Sequence, residues 1–166
     1  MKPIIATLAL VFFFMGTTFS QAQQSKTKKQ EIMTTENNIS IFPKGDKLSN
    51  DWFTGNAFLK PFVAKDKNND FSAGYVTFEP GARTHWHTHP KGHVLIVLEG
   101  EGFYQEKGKP DQSIKKGDII NIPEDVIHWH GATAKSKMAH IAITNFKDDK
   151  QVSWLEPVSE EDYKSN

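Results

Sequence analysis

No cysteine occurs anywhere in the chain, which excludes a disulfide staple, a cysteine-linked lipid anchor and any thiolate metal ligand. A metal, if one is held, is held by nitrogen and oxygen. Neither sign of charge is in excess, with 20 Lys plus Arg against 20 Asp plus Glu, so no net field draws the protein to nucleic acid or to an anionic membrane. No apolar run approaches the roughly 20 residues that cross a bilayer. The run Ile4 to Met15 comes after the positive start Met1-Lys2 and precedes Ser20-Gln21-Ala22, whose small residues have the spacing a signal peptidase reads. Residues 1–22 therefore read as a signal peptide, and the mature chain as exported, periplasmic or secreted, with no membrane association after cleavage. No internal repeat is visible.

The residues that are present point to one small β domain. Residues 23–38 are polar, with Lys26, Lys28 and Lys29 close together, and read as a linker. Residues 39–166 are enough for one barrel-sized core. Short β-prone runs alternate with turn residues: Phe71 to Phe78 before Glu79-Pro80-Gly81, His93 to Leu98 before Glu99-Gly100, and Gly102 to Gln105 before Lys107-Gly108-Lys109-Pro110. Ile119 to Ile122, a turn at Pro123-Glu124-Asp125, and Ala139 to Phe146 continue the pattern. This is the spacing of an all-β sandwich or barrel. Only the C-terminus reads as helix, opened by Ser159 and Asp162 at capping-box spacing.

Six of the seven histidines lie between His85 and His130. Residues two apart on a strand face the same way, so His87 and His89 project together, as do His128 and His130. The connection Pro90-Lys91-Gly92 can return the chain and bring His93 beside the first pair. Several neutral imidazoles around an apolar cavity call for a cation to justify their burial, and imidazole suits manganese, iron, zinc, nickel or copper.

The two stretches Gly81-x5-His87-x-His89-x3-His93-x6-Gly100 and Gly117-x5-Pro123-x4-His128 resemble the two sequence motifs of the cupin superfamily. The resemblance implies a single jelly-roll β-barrel and one divalent transition metal on His87, His89, His93 and His128. Most cupins have glutamate where His93 stands, and glycine and asparagine where Asp125 and Ala132 stand. A fourth neutral ligand leaves the metal's charge uncompensated, which strengthens it as a Lewis acid; alternatively His93 turns away and leaves three ligands and waters.

Further words, Asp51-Trp52-Phe53-Thr54-Gly55, Val76 to Thr84, Trp86 to Pro90, His128 to Gly131 and Val152-Ser153-Trp154, are similar to the small bacterial cupins that include the manganese-dependent (R)-selective hydroxynitrile lyases. That resemblance implies manganese, a small-molecule substrate, and cleavage of a carbon–carbon bond next to a hydroxyl. It places His130, His140 and Thr84 along the pocket, in the roles of proton acceptor, leaving-group donor and hydroxyl orienter; His130, two residues past His128 on the same face, is the first candidate for the base and His140 on the Ala139 to Phe146 strand the second. A metal-dependent dioxygenase and a non-catalytic small-ligand binder are the other two readings of such a site. Trp86 and Trp129 alternate with the ligands and read as packing residues, His85 reads as rim or surface, and Arg83 as pairing with an acid near the barrel mouth. Cupins usually pair through strands, so a homodimer or higher homo-oligomer is expected, with Ile39 to Phe42 available to extend a partner's sheet.

Overall fold

The computed structural model describes residues 40–164; the expected signal peptide over 1–22, the linker over 23–38, and Ile39 lie outside the described residues. Strands dominate the domain: β1 (Asp46–Lys47), β2 (Phe53–Thr54), β3 (Ala57–Val63), β4 (Phe71–Phe78), β5 (Arg83–Thr84), β6 (His87–Thr88), β7 (His93–Glu106), β8 (Gln112–Lys115), β9 (Ile119–Ile122), β10 (His128–Ala132), β11 (Met138–Asn145) and β12 (Ser153–Trp154), closed by the short helix α1 (Glu160–Lys164). Neighbours run in the order β1-β3-β4-β11-β7-β10-β5-β2, with β8 and β9 on β7, β6 on β10 and β12 on β6. The long strands pair antiparallel throughout, and the sheet curls into the expected jelly roll.

The strand β7 makes the curl possible. Its first half pairs with β11 and β9, and its second half with β10 and β8. The buried face changes phase between the halves: His93, Leu95 and Val97 are buried in the first, Gly102 and Tyr104 in the second. A bulge causes the change. Glu99 faces Ala139 while Val97 faces His140, so Leu98 is the extra residue. Gly100 completes the corner at φ +68, and a Cβ there would meet the Lys137 carbonyl oxygen at 1.8 Å. Glu99-Gly100, expected to be a turn between two strands, is thus a bend inside one strand. The strand expected over Ala139 to Phe146 begins and ends one residue earlier.

Two apolar clusters sit on opposite faces of the β10 side. Phe78, Leu95, Val97, Ile114, Ile122 and Met138 fill the interior, each such buried side chain contributing roughly 1.5–3 kcal/mol. Trp86 and Trp129 pack outside with Val158 and Tyr163 beneath the C-terminal segment, as alternation with the histidines requires. Arg83 belongs to this outer layer: it bonds Glu160 at 2.7 Å and lies over the Tyr163 ring, so the acid expected for it is supplied by α1. The Tyr163 hydroxyl donates to the Ala132 carbonyl at 2.9 Å. Ser159 caps α1 as expected, accepting from the Asp162 N–H at 2.9 Å.

The chain enters the domain through a carboxylate clamp. Glu99 accepts from Tyr75 Oη at 2.6 Å, Ser40 Oγ at 2.8 Å, Ile41 N at 2.9 Å and Lys137 Nζ at 2.9 Å. Phe42 packs edge-on against Phe62 and Tyr75. Ser40 to Phe42 are thus seated on their own barrel, with Ile41 left 55% exposed. Burial alone raises the Glu99 pKa, but the bonds from Tyr75, Lys137, Ile41 and Ser40 outweigh it and lower it from 4.5 to about 2. A depressed folded-state pKa gives stability that is present above the unfolded value and lost as pH falls towards the folded one. Replacing Glu99 by Gln should cost about 2 kcal/mol at pH 7. The gap between wild type and variant should narrow by about 1 kcal/mol by pH 4, as measured by urea denaturation at both pH values; a gap that widens on acidification would contradict the clamp.

Candidate metal centre

Six imidazoles converge on the barrel interior, each delivered by a local rule. Antiparallel pairing of β6 with β10 sets His87 opposite His128, and their ring centres are 4.1 Å apart. His89 comes two residues after His87, and its ring lies 5.0 Å from the His87 ring. Gly92, at φ +75, turns the chain back tightly, its N–H donating to the His89 carbonyl at 3.2 Å. That turn starts β7 at His93, whose ring stacks on His89 at 4.3 Å. Asp125 takes φ +60, the left-handed conformation that explains glycine as the usual family residue there, and its N–H also donates to the His89 carbonyl. On β10, His130 shares the inward face with His128. On β11, His140 and Thr144 share the inward face with Ala142.

The hydrogen bonds select the tautomer. Nδ1 of His87 lies 3.0 Å from the His85 carbonyl, Nδ1 of His128 2.9 Å from the Val126 carbonyl, and Nδ1 of His89 2.5 Å from the Gln151 carbonyl. A carbonyl can only accept, so the proton is on Nδ1 and the lone pair on Nε2. Thr144 Oγ1 faces His93 Nδ1 at 2.8 Å and can play the same part. This is the arrangement that orients a metal-binding histidine from behind. Burial, with repulsion among the rings added to it, holds His87, His93 and His130 well below the ordinary imidazole range. Burial brings His128 down to about 4 and His140 to about 3. Near neutral pH the rings are therefore uncharged and free to donate lone pairs.

Their donor atoms fit a cation. Nε2 of His89 and of His128 are buried with no hydrogen-bond partner among the described residues, and leaving such a group unsatisfied costs about 1–3 kcal/mol. The tightest group is His87, His128 and His130, whose donor atoms all lie within 4.8 Å of one another. This triad shares His87 and His128 with the set read from sequence. It includes His130, read there as the base, while His89 and His93 stand beside it as a stacked pair, with His128 5.6 and 6.3 Å from them. The donor set, three to five uncharged nitrogens with no hydrogen bond from any ring to a carboxylate among the described residues, suits a divalent transition metal.

His130 Nδ1 and both nitrogens of His140 are also buried without a partner among the described residues, and the two rings meet at right angles 5.0 Å apart. Thr84 is buried and accepts from the His130 N–H at 3.1 Å. These groups line an inner chamber of about 110 Å³ bounded also by Phe53, Phe78 and Trp154. His85, read as rim or surface, is buried at 8 % exposure, its N–H donating to the Trp52 carbonyl. Three contributors escaped the sequence reading. Thr144 lies four residues past His140, at strand spacing, a signal that was available. Gln151 and Trp154 arrive from a distant segment that pairs with β6, setting Trp154 opposite His87, and nothing local announces that.

A cupin-domain family model matches residues 74–144, and over 114 residues the chain is 42% identical to the (R)-mandelonitrile lyase of Granulicella tundricola, covering 69% of this chain and 87% of that protein. The chain belongs to the cupins. Among solved structures, this cupin is similar to a cupin-like protein of Thermotoga maritima, at TM-score 0.73 and 47% identity, over 76% of this chain and 96% of that one. A predicted oxalate decarboxylase of the same organism shares the fold at TM-score 0.56 and 21% identity, over 68% and 93% of the two chains.

If the chamber holds a metal, the purified cupin should carry close to one transition-metal ion per chain by elemental analysis, and His87→Ala should lose it, because few labile metals survive loss of a ligand. Chelation should lower the melting temperature, since a ligand at a hundred to a thousand times its dissociation constant adds about 3–4 kcal/mol. Equal metal content in wild type and variant would refute the centre.

Proposed function

We propose that this cupin is a metal-dependent lyase that splits a cyanohydrin into a carbonyl compound and hydrogen cyanide. The observation that carries the reading is the pair His130 and His140: two buried, uncharged imidazoles with uncommitted nitrogens, set against the ligand-type rings on the wall of one chamber. The (R)-mandelonitrile lyase similar to this chain supports the substrate class.

A divalent metal held on His87, His89, His93 and His128 would polarise the substrate oxygen as a Lewis acid. We take manganese as the native ion, with iron, zinc and nickel as the competitors that elemental analysis separates. His130 Nδ1 accepts the hydroxyl proton as the oxygen becomes a carbonyl. The carbon–carbon bond breaks and its electron pair leaves with cyanide. His140, neutral and carrying one N–H, donates a hydrogen bond to the departing cyanide, and the proton that His130 accepted passes to it, so hydrogen cyanide leaves and both imidazoles end neutral as they began. Thr84 already accepts from the His130 backbone, which leaves its own O–H to hold the substrate oxygen in line. No electron is gained or lost, so oxygen plays no part. Because the triad geometry includes His130, a variant at His130 that loses the metal assigns it as a ligand and leaves His140 as the proton-handling residue.

The measurement is release of cyanide from mandelonitrile by the metallated protein. His130→Ala or His140→Ala should lower turnover at saturation by about a hundredfold or more, the usual worth of a placed acid or base, and wild-type turnover should persist under argon. Oxygen uptake in step with turnover would move the protein to the dioxygenases, and no cleavage of any cyanohydrin would leave a small-ligand binder. The N-terminal charge, apolar run and small-residue site support export as part of the same proposal. Sequencing the N-terminus of protein recovered outside the cytoplasm should start at Gln23.

A further inference from the structure

The histidine chamber is the smaller of two joined cavities. The larger, about 380 Å³, shares Phe53, Val76, His89, Ala142 and Trp154 with it. Its wall is almost free of usable polar groups. Among the described residues, no acidic or basic side chain lines it apart from His89, whose Nδ1 is spent on Gln151. Its hydroxyls are also committed: Ser49 donates to Asp51, Ser72 to the Gln151 side chain, and Thr144 faces His93, each at 2.8 Å. Aromatic surface replaces polarity at its edge, where Trp52 stacks on Trp154 at 5.6 Å and 18°, and Phe53 meets Trp154 edge-on at 5.4 Å. Trp52 is 42% exposed although it is a large apolar ring.

The two volumes divide a ligand. At about 30 Å³ per water in the liquid, the inner chamber of 110 Å³ takes three or four non-hydrogen atoms, enough for a hydroxylated carbon and one small substituent. A dry cavity of about 150 Å³ takes one benzene ring, and the outer cavity is more than twice that size. A phenyl group would leave much of it unfilled.

We propose that the outer cavity is a subsite for an uncharged aromatic group larger than a single ring, carried by the same molecule whose hydroxylated carbon enters the histidine chamber, with Trp52 as a specificity-determining residue at its edge. The proposal rests on the lyase reading for the identity of the head group, but the subsite can be measured without any bond being broken.

The probes are alcohols, which bind and do not react: 1-phenylethanol, 1-(2-naphthyl)ethanol, and the naphthyl compound with a carboxylate on its distal ring. Calorimetric titration of the full-length metallated protein should find the naphthyl alcohol at least about tenfold tighter than the phenyl alcohol, from the added apolar area. The carboxylate should cost at least about tenfold, because among the described residues no cationic side chain lines the wall to pair with it. Trp52→Ala should weaken the naphthyl alcohol by about two- to tenfold, the worth of one aromatic contact, while leaving the phenyl alcohol nearly unchanged. Equal affinity for one and two rings in the wild type, or tolerance of the distal carboxylate, would overturn the subsite whatever the variant does. Failure to release cyanide from any cyanohydrin would withdraw the lyase and leave these affinities standing.

Discussion

The structure turns on keeping six imidazoles uncharged in a place where charge is expensive. Each ring brings a polar edge into an interior otherwise filled by Phe78, Leu95, Val97 and Ile122, and an unpaired polar group there costs free energy that packing must offset. Backbone carbonyls from His85, Val126 and Gln151 take up one nitrogen of three rings, and Thr144 faces a fourth. The opposite nitrogen of each ring is then committed to the cavity. Desolvation lowers every ring's proton affinity, so the cluster is ready for a cation and resists a proton. His130 and His140 differ because no carbonyl among the described residues stands behind them, and that missing support separates groups that could move protons from groups that hold still.

The scaffold achieves this with two departures from regular strand geometry. The bulge at Leu98 changes the inward phase of β7, so one strand can wall both sheets. Across from that bulge Met138, Ala139 and His140 are buried in succession, both faces of β11 being covered there. The second departure is the tight return over Pro90 to Gly92, closed against the Ile122 carbonyl that a Cβ at Gly92 would approach to 2.8 Å. Without it His93 would not reach His89. The outer layer of Trp86, Trp129 and Tyr163 covers the opposite face of β10, which lets that strand be buried on both sides and keeps solvent from the rings behind it.

Much of this was written locally. Alternation placed His87 and His89, and His128 and His130, on common faces; the spacing of the two motifs indicated the fold; turn residues bounded most strands; and Ser159 with Asp162 announced the final helix. Those features depend on neighbours within a few residues, where strand period, turn chemistry and capping are set by covalent geometry. Tertiary pairing decided the rest. It merged two expected strands into β7, buried His85, gave Arg83 its acid on α1, put His130 within the tightest donor group, and brought Gln151 and Trp154 across to the rings. Each of those outcomes depends on register between segments far apart in sequence, and register is a property of the packed sheet that no single segment carries.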